Sequence, residues 1–264
     1  MALLIAQLSD THVGGPAEGS GARLSLAVDE VNAMTRQPDL VLITGDLTHA
    51  GAAGEWAEFQ ARVSELRAPW TCIRGNHDRQ IMDFTGHRAM DLGPLRLVLV
   101  DSSAEEFTDE DARWLDVELT AHADRITMVA IHHPPFETGI WWMDCVGLSG
   151  RERFEDVVRR HPHVRLVVSG HVHRPIVTAW GSCVLWSSPS TAVAIAADLD
   201  PDHDPAETAE PPMISLHAHV GDGFVSHLVP VGASASRTSI SKTAPEFVEW
   251  ARGVQSTRPS RFEN

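Results

Sequence analysis

Residues 70–78 read Trp70-Thr71-Cys72-Ile73-Arg74-Gly75-Asn76-His77-Asp78, a short apolar run that breaks at glycine into an amide, an imidazole and a carboxylate. A run of this kind predicts a buried strand, and the glycine predicts a tight turn at its carboxyl end. Working outward, the arrangement recurs. Leu40–Thr44 runs into Gly45-Asp46, and Leu3–Leu8 runs into Asp10-Thr11-His12. Ile126–Ile131 runs into His132-His133-Pro134-Pro135, and Val164–Val168 into Gly170-His171-Val172-His173. Leu95–Val100 is a sixth apolar run. Helical patterns lie between them, at about 22–35, 54–67, 109–122 and 150–160, with Thr108 and Asp111 as a helix-start signal. Alternating strand and helix predicts an α/β fold with right-handed crossovers. In such sheets, ligands gather just past the carboxyl ends of the strands.

From about residue 175 the pattern changes. Ile176–Trp180, Cys183–Trp186, Met213–His219 and Phe224–Val229 read as strands, with Gly221-Asp222-Gly223 as a hairpin turn. This late segment is expected to be antiparallel and poor in helix. Asp198–Pro212 reads as an exposed loop. One domain is expected over 1–232, with a cap-like loop at about 137–148. Residues 233–264 are expected to form a linker, a short helix at 245–252 and a tail.

The chain has 264 residues, 43% hydrophobic and 22% charged, as an ordinary globular protein does. Lys plus Arg number 21 against 36 Asp plus Glu, a formal charge of -15. Such a surface repels a phosphate backbone over a long footprint, so no nucleic-acid partner is expected. The three cysteines, Cys72, Cys145 and Cys183, are widely spaced and form no disulfide framework, which suits a reducing cytoplasm. The apolar opening Met1–Leu8 is too short to span a bilayer and runs straight into polar residues, so no membrane partner is expected.

The strand ends deliver carboxylate, amide and imidazole groups with no thiolate, a set suited to hard-to-borderline divalent metals. Asp10, His12, Asp46, Asn76, His132, His171 and His173 supply seven candidate ligands. If one carboxylate bridges, seven ligands give four protein contacts to each of two metals and leave positions open for water and substrate. His49 and His133 sit beside these motifs, where they could orient ligands or simply be satisfied elsewhere. Asp78 reads as a residue that orients a neighbour or caps a turn. Trp141-Trp142 reads as a pair of exposed aromatics in a loop, with equal claim to a substrate wall or to packing. His203, His217, His219 and His227 read as surface or sheet residues.

The series Asp10-x-His12, Gly45-Asp46, Gly75-Asn76-His77-Asp78, His132 and Gly170-His171-x-His173 resembles the calcineurin-like metallophosphoesterase superfamily. Within it, the bacterial class III cyclic-nucleotide and glycerophosphodiester phosphodiesterases are the most similar. The resemblance implies a four-layer α/β/β/α sandwich of two central mixed sheets flanked by helices. By position it implies that Asp10, His12, Asp46 and His173 hold one metal and that Asn76, His132 and His171 complete the second, with Asp46 bridging. The divalent ions would be Mn, Fe, Zn or Co. Asn76 and His77 would be the catalytic residues, His77 meeting the phosphate and leaving group without ligating metal. Arg74 stands where many members carry proline, which bears on the site's charge or on the turn. A homodimer through the late strands or the 233–264 tail is a further expectation.

The chemistry expected is hydrolysis of small phosphodiesters, cyclic nucleotides such as cAMP or glycerophosphodiesters, by in-line attack of a metal-bound hydroxide. Two ions polarise the phosphoryl oxygen and lower the pKa of a bound water to roughly 7. His77 would donate a proton or stabilise an oxyanion. The alternatives are a phosphomonoesterase acting on a nucleotide or small phosphate, and a non-catalytic binding scaffold. The 137–148 loop carries Glu137 and Asp144 and no cation, which favours the less charged diester.

Overall fold

The apolar runs lack polar alternation because both of their faces are covered. The computed structural model describes residues 2–16, 19–232 and 240–257. In chain order the elements begin β1 (Leu3–Leu8), α1 (Ser20–Asn32), β2 (Leu40–Thr44), α2 (Ala53–Val63) and β3 (Trp70–Ile73). A single 3-10 turn over Asn76–Asp78 precedes β4 (Arg88–Leu92), β5 (Leu95–Val100), α3 (Asp109–Ala121) and β6 (Thr127–Ile131). Then come α4 (Trp141–Cys145), α5 (Arg151–Arg160), β7 (Val164–Ser169), β8 (Ile176–Trp180) and β9 (Cys183–Ser187). The chain closes with β10 (Ala194–Ile195), β11 (Glu207–Thr208), β12 (Met213–Val220), β13 (Gly223–Pro230), α6 (Ile240–Thr243) and α7 (Pro245–Thr257).

Two mixed sheets result. One has the order β13-β12-β1-β2-β3 and the other β4-β5-β6-β7-β9-β8. Alternate residues of each strand enter different cores, as the period of two requires. Leu40 and Leu42 of β2 meet Leu97, Leu99, Met128 and Leu166 in the core between the sheets. Val41 and Ile43 face the other way, against Leu24, Val28 and Phe59 of α1 and α2. On the far side Val98, Val100, Val129 and Ile131 pack on Leu115 and Leu119 of α3 and on Phe154 and Val157 of α5. The expected four layers are present: helices, sheet, sheet, helices.

The helix-start signal at Thr108 is a capping box. Its Oγ1 accepts from the Asp111 N–H at 3.2 Å, and the Asp111 carboxylate accepts from the Thr108 N–H at 2.7 Å. Three expectations need correction. The late segment is not wholly antiparallel, because β9 extends the second sheet parallel to β7. β4 is an unanticipated edge strand antiparallel to β5; as an edge its sequence, Arg-Ala-Met-Asp-Leu, needs no alternation. The 198–212 loop is exposed through most of its length, but Glu207–Thr208 pairs back to Ala194–Ile195. The helix at 245–252 runs on to Thr257, while the 233–239 part of the linker and the 258–264 tail lie outside the described residues. No helix among the described residues is long and apolar enough to cross a membrane.

Candidate metal centre

β1, β2 and β3 of one sheet and β6 and β7 of the other end at the same edge of the sandwich. The loops that follow them bring all seven candidate ligands together. Four groups of donor atoms, those within a group lying within 4.8 Å of one another, involve them: Asp10, His12 and His173; Asp10, Asp46 and His132; His132, His133 and His171; His12, His49 and His77. Asp46 Oδ2 lies 3.5 Å from His12 Nε2 and 3.4 Å from His132 Nε2, between the two halves of the cluster. His12 Nε2 and His173 Nε2 are 3.1 Å apart, and His173 Nε2 is 3.5 Å from Asp10 Oδ1. Ligands bonded at about 2.0–2.2 Å to one ion stand at roughly such separations.

Orphaned polar atoms make the same point. Asn76 Oδ1, His132 Nε2 and His171 Nε2 are buried and have no hydrogen-bond partner. A buried unpaired polar atom costs about 1–3 kcal/mol, and metal ligation satisfies each of these. The opposite ring nitrogens are already engaged. His132 Nδ1–H donates to the Thr44 carbonyl at 2.7 Å and His173 Nδ1–H to the Val193 carbonyl at 2.8 Å, fixing the tautomer that leaves Nε2 free. Burial pushes Asp10 up from its ordinary value. Burial would raise Asp46 as well, but the neighbouring His132 and His12 rings outweigh it and hold Asp46 well below the usual carboxylate range. Against its own burial, His132 is lifted to about 9 by Asp46. The residues present fit divalent metal ions.

The backbone is bent to make this convergence. Asp10, His12, Asp46, His171 and His173 have φ of 51°, 41°, 48°, 67° and 51°. These left-handed conformations are uncommon outside glycine and cluster where a site demands them. At Gly75 a side chain is excluded outright, since a Cβ there would collide with the Asp46 carboxylate. Asp78 ties the two motif loops together. Its carboxylate accepts from the N–H groups of Leu47, Thr48 and Gly75 at 3.0 Å each and from Thr48 Oγ1 at 2.8 Å.

Other candidates separate clearly. His77 lines the cavity above the ligands, its N–H donating to Asp46 Oδ1 at 3.0 Å and its Nδ1–H to the His49 carbonyl at 2.5 Å. His133 is buried behind the site, its ring 4.4 Å from that of His171 and its Nδ1 2.9 Å from Ser102 Oγ. Arg74 turns away from the ligands. It ion-pairs with Asp101 at 2.5 Å and donates to the carbonyls of Arg79 and Ile81, so it shapes the turn. Trp142 lines the cavity, whereas Trp141 donates Nε1–H to the His203 carbonyl at 3.3 Å; the pair lies on the short helix α4 and does not form one wall. Asp144 is turned inward to accept from the Thr138 and Gly139 N–H groups, and Glu137 pairs with Arg151. Besides Asp46, the carboxylates that line the cavity are Glu105 and Glu207, which lie outside every motif and carried no pattern. His217 lies on the sheet strand β12, within the expectation of a surface or sheet position, and is fully buried there.

Comparison with known proteins follows this geometry. The family model described as calcineurin-like phosphoesterase matches residues 3–175. A protein of Arcobacter nitrofigilis named as a probable glycerophosphodiester phosphodiesterase GpdQ is 28% identical, over 87% of this chain and 94% of its own. The 3',5'-cyclic adenosine monophosphate phosphodiesterase CpdA of Pseudomonas aeruginosa is 31% identical over 74% of this chain and 78% of its own. In fold the chain is similar to a dimetal phosphatase from Danio rerio, with TM-score 0.63 and 13% identity over 87% of this chain and 99% of that one. It is also similar to a purple acid phosphatase of yellow lupin, with TM-score 0.66 and 13% identity over 90% of this chain and 53% of that one. By its matched residues and by the arrangement of its strand ends, this chain belongs to the calcineurin-like phosphoesterases.

Proposed function

We propose that this protein is a metal-dependent phosphodiesterase that hydrolyses small phosphodiesters, cyclic nucleotides such as cAMP or glycerophosphodiesters, at a pair of divalent ions. The observation that carries the reading is the set of buried, unpartnered ligand atoms on Asn76, His132 and His171 beside the Asp46 carboxylate. In this reading Asp10, His12, Asp46 and His173 hold one ion, and Asp46, Asn76, His132 and His171 hold the other. The names of the GpdQ and CpdA relatives support the diester as substrate.

When bound, the two ions supply charge neutralisation at the phosphoryl oxygen and a water of lowered pKa. The chain's own residues do the rest. Displacement at phosphorus expels an alkoxide, which needs a proton. His77 is placed to hold one, because its Nδ1–H is committed to the His49 carbonyl and Nε2 is left for the cavity. Only the imidazolium form carries a proton on that nitrogen, so the donor role belongs to the charged ring. Asn76 lines the same cavity, so ligation and substrate contact fall to adjacent residues. Neither Arg nor Lys is among the cavity's described lining, while Glu105 and Glu207 are. Beyond the ions and His77, a monoester's second negative charge finds no cation in that lining, and the diester is the better match.

The test is hydrolysis of a chromogenic diester beside its monoester by chelator-stripped protein given Mn²⁺, Zn²⁺, Co²⁺ or Fe²⁺ singly. Metal-dependent turnover favouring the diester is expected. Asp46→Ala should lose more than the roughly 10–100-fold that removal of an outer-shell partner costs. His77→Ala should keep its metal and lose turnover. Monoester preference would overturn the substrate class, and metal-loaded protein without turnover would favour a binding scaffold.

A further inference from the structure

Two cavities flank the proposed metal centre. The larger, of about 580 Å³, opens over the candidate ligands and is walled by Trp142, Met143, Val146 and Ile195. The smaller, of about 220 Å³, is lined by Gly15, Pro16, His49 and Val193. His12, His173 and Glu207 line both, so the cavities meet at the metal side with Glu207 on the ridge between them.

A phosphodiester has two ester oxygens. In a cyclic nucleotide both return to one ribose, and a single pocket suffices. An acyclic diester sends them to two separate substituents and needs space on two sides of the phosphorus. The smaller cavity falls below the roughly 300–1,000 Å³ of pockets that enclose drug-sized ligands, so it suits an alcohol of a few heavy atoms. Its polar groups are imidazoles and one exposed carboxylate, Glu207. Of the larger cavity's other carboxylates, Asp46 belongs to the candidate metal centre and Glu105 is ion-paired with Arg79 at 3.1 Å. Glu207 is held in place from the metal side. It pairs across the β10–β11 hairpin with Ile195, whose carbonyl accepts from Arg174 at 2.6 Å, next in sequence to His173.

We propose that the two cavities take the two arms of an acyclic phosphodiester, and that Glu207 accepts hydrogen bonds from a small hydroxylated alcohol in the smaller one. This rests on the diesterase reading above. Water adds to phosphorus, one P–O ester bond breaks, and the freed arm leaves as an alcohol or phenol once it has taken up a proton. The other arm remains as a phosphomonoester. Glu207 touches the retained or departing alcohol and not the phosphorus, so it sets preference among alcohols.

The test uses metal-loaded full-length protein and two substrates with one chromophore, glyceryl 4-nitrophenyl phosphate and propyl 4-nitrophenyl phosphate, with cAMP beside them. The glyceryl ester should be favoured in kcat/KM by at least about tenfold, since a site built to bond a hydroxyl discriminates against its absence. In Glu207→Ala the glyceryl-to-propyl ratio should fall to about one, chiefly through KM. A ratio that survives in Glu207→Ala, or propyl and glyceryl esters cleaved equally by the unaltered protein, overturns the assignment. Turnover of cAMP with neither acyclic ester cleaved overturns the two-arm inference and leaves the diesterase reading standing. No turnover of any diester overturns that reading itself.

Discussion

Asp10, His12, Asp46, His171 and His173 share a left-handed backbone, at roughly 1–3 kcal/mol each. Asp and His tolerate that region better than most side chains, which is one reason these turns can carry functional groups at all. The same crowding makes Gly75 irreplaceable. Gly75→Ala should move the Asp46 carboxylate and weaken metal binding at least about tenfold, read by calorimetric titration of the stripped protein, with the fold retained by circular dichroism. Unchanged affinity would mean that the turn yields without disturbing Asp46. At this scale the sequence was informative wherever residue type and position coincided, as at Asp46 or Asn76. It was silent on Glu105 and Glu207, because a glutamate in a connecting loop or on a two-residue hairpin carries no signature until that segment is folded over the site.

The elements tell a similar story at larger size. The buried strands were legible because a strand covered on both faces must be mostly apolar, and β1, β2, β5, β6 and β7 are. Two-residue strands such as β10 and β11 have no room for a pattern, and the edge strand β4 has no fully buried residue to mark an apolar face. Helix α4 is five residues long and stands in a segment that reads as loop. It nevertheless supplies much of the larger cavity's wall, with Cys145 at its end exposed and lining the cavity. Cys72 and Cys183 are buried, and burial pushes both thiols up to about 12. A thiol reagent such as N-ethylmaleimide should therefore label Cys145 alone in the native protein and cut diester turnover at least about fivefold. Cys145→Ser should be resistant; labelling without loss of turnover would place α4 away from the substrate.

Across the whole molecule, the sandwich is joined by a polar network as well as by apolar packing. His217 of β12 bonds Gln7 of β1 at 2.9 Å and Ser226 of β13 at 2.7 Å, and Gln7 donates to the Ser169 carbonyl of β7 in the opposite sheet at 3.0 Å. The sequence placed His217 on a strand but could not reveal that β12 is an inner strand, between β13 and β1, of a sheet packed against a second one. Burial drives His217 from its ordinary 6.5 down to about 3. The folded form holds it neutral, while the unfolded chain takes up a proton below about 6.5. Its stabilisation is therefore complete above that pH and is lost as pH falls towards 3, at up to about 1.4 kcal/mol per pH unit. Urea unfolding at pH 7, 6 and 5 should show a shallower acid limb for His217→Gln than for the unaltered protein, and parallel limbs would contradict the assignment.

The seam between the sheets also runs through the candidate metal centre. Asp10, His12, Asp46 and Asn76 follow strands of one sheet, and His132, His171 and His173 follow strands of the other. Neither sheet alone holds a full ligand set for either proposed ion. The candidate centre is thus an interlock: its ligands converge only when the two halves are in register, and any slip between them dismantles both proposed ion positions together. Catalytic competence is in this way made a property of the docked sandwich and denied to every partly assembled form of the chain.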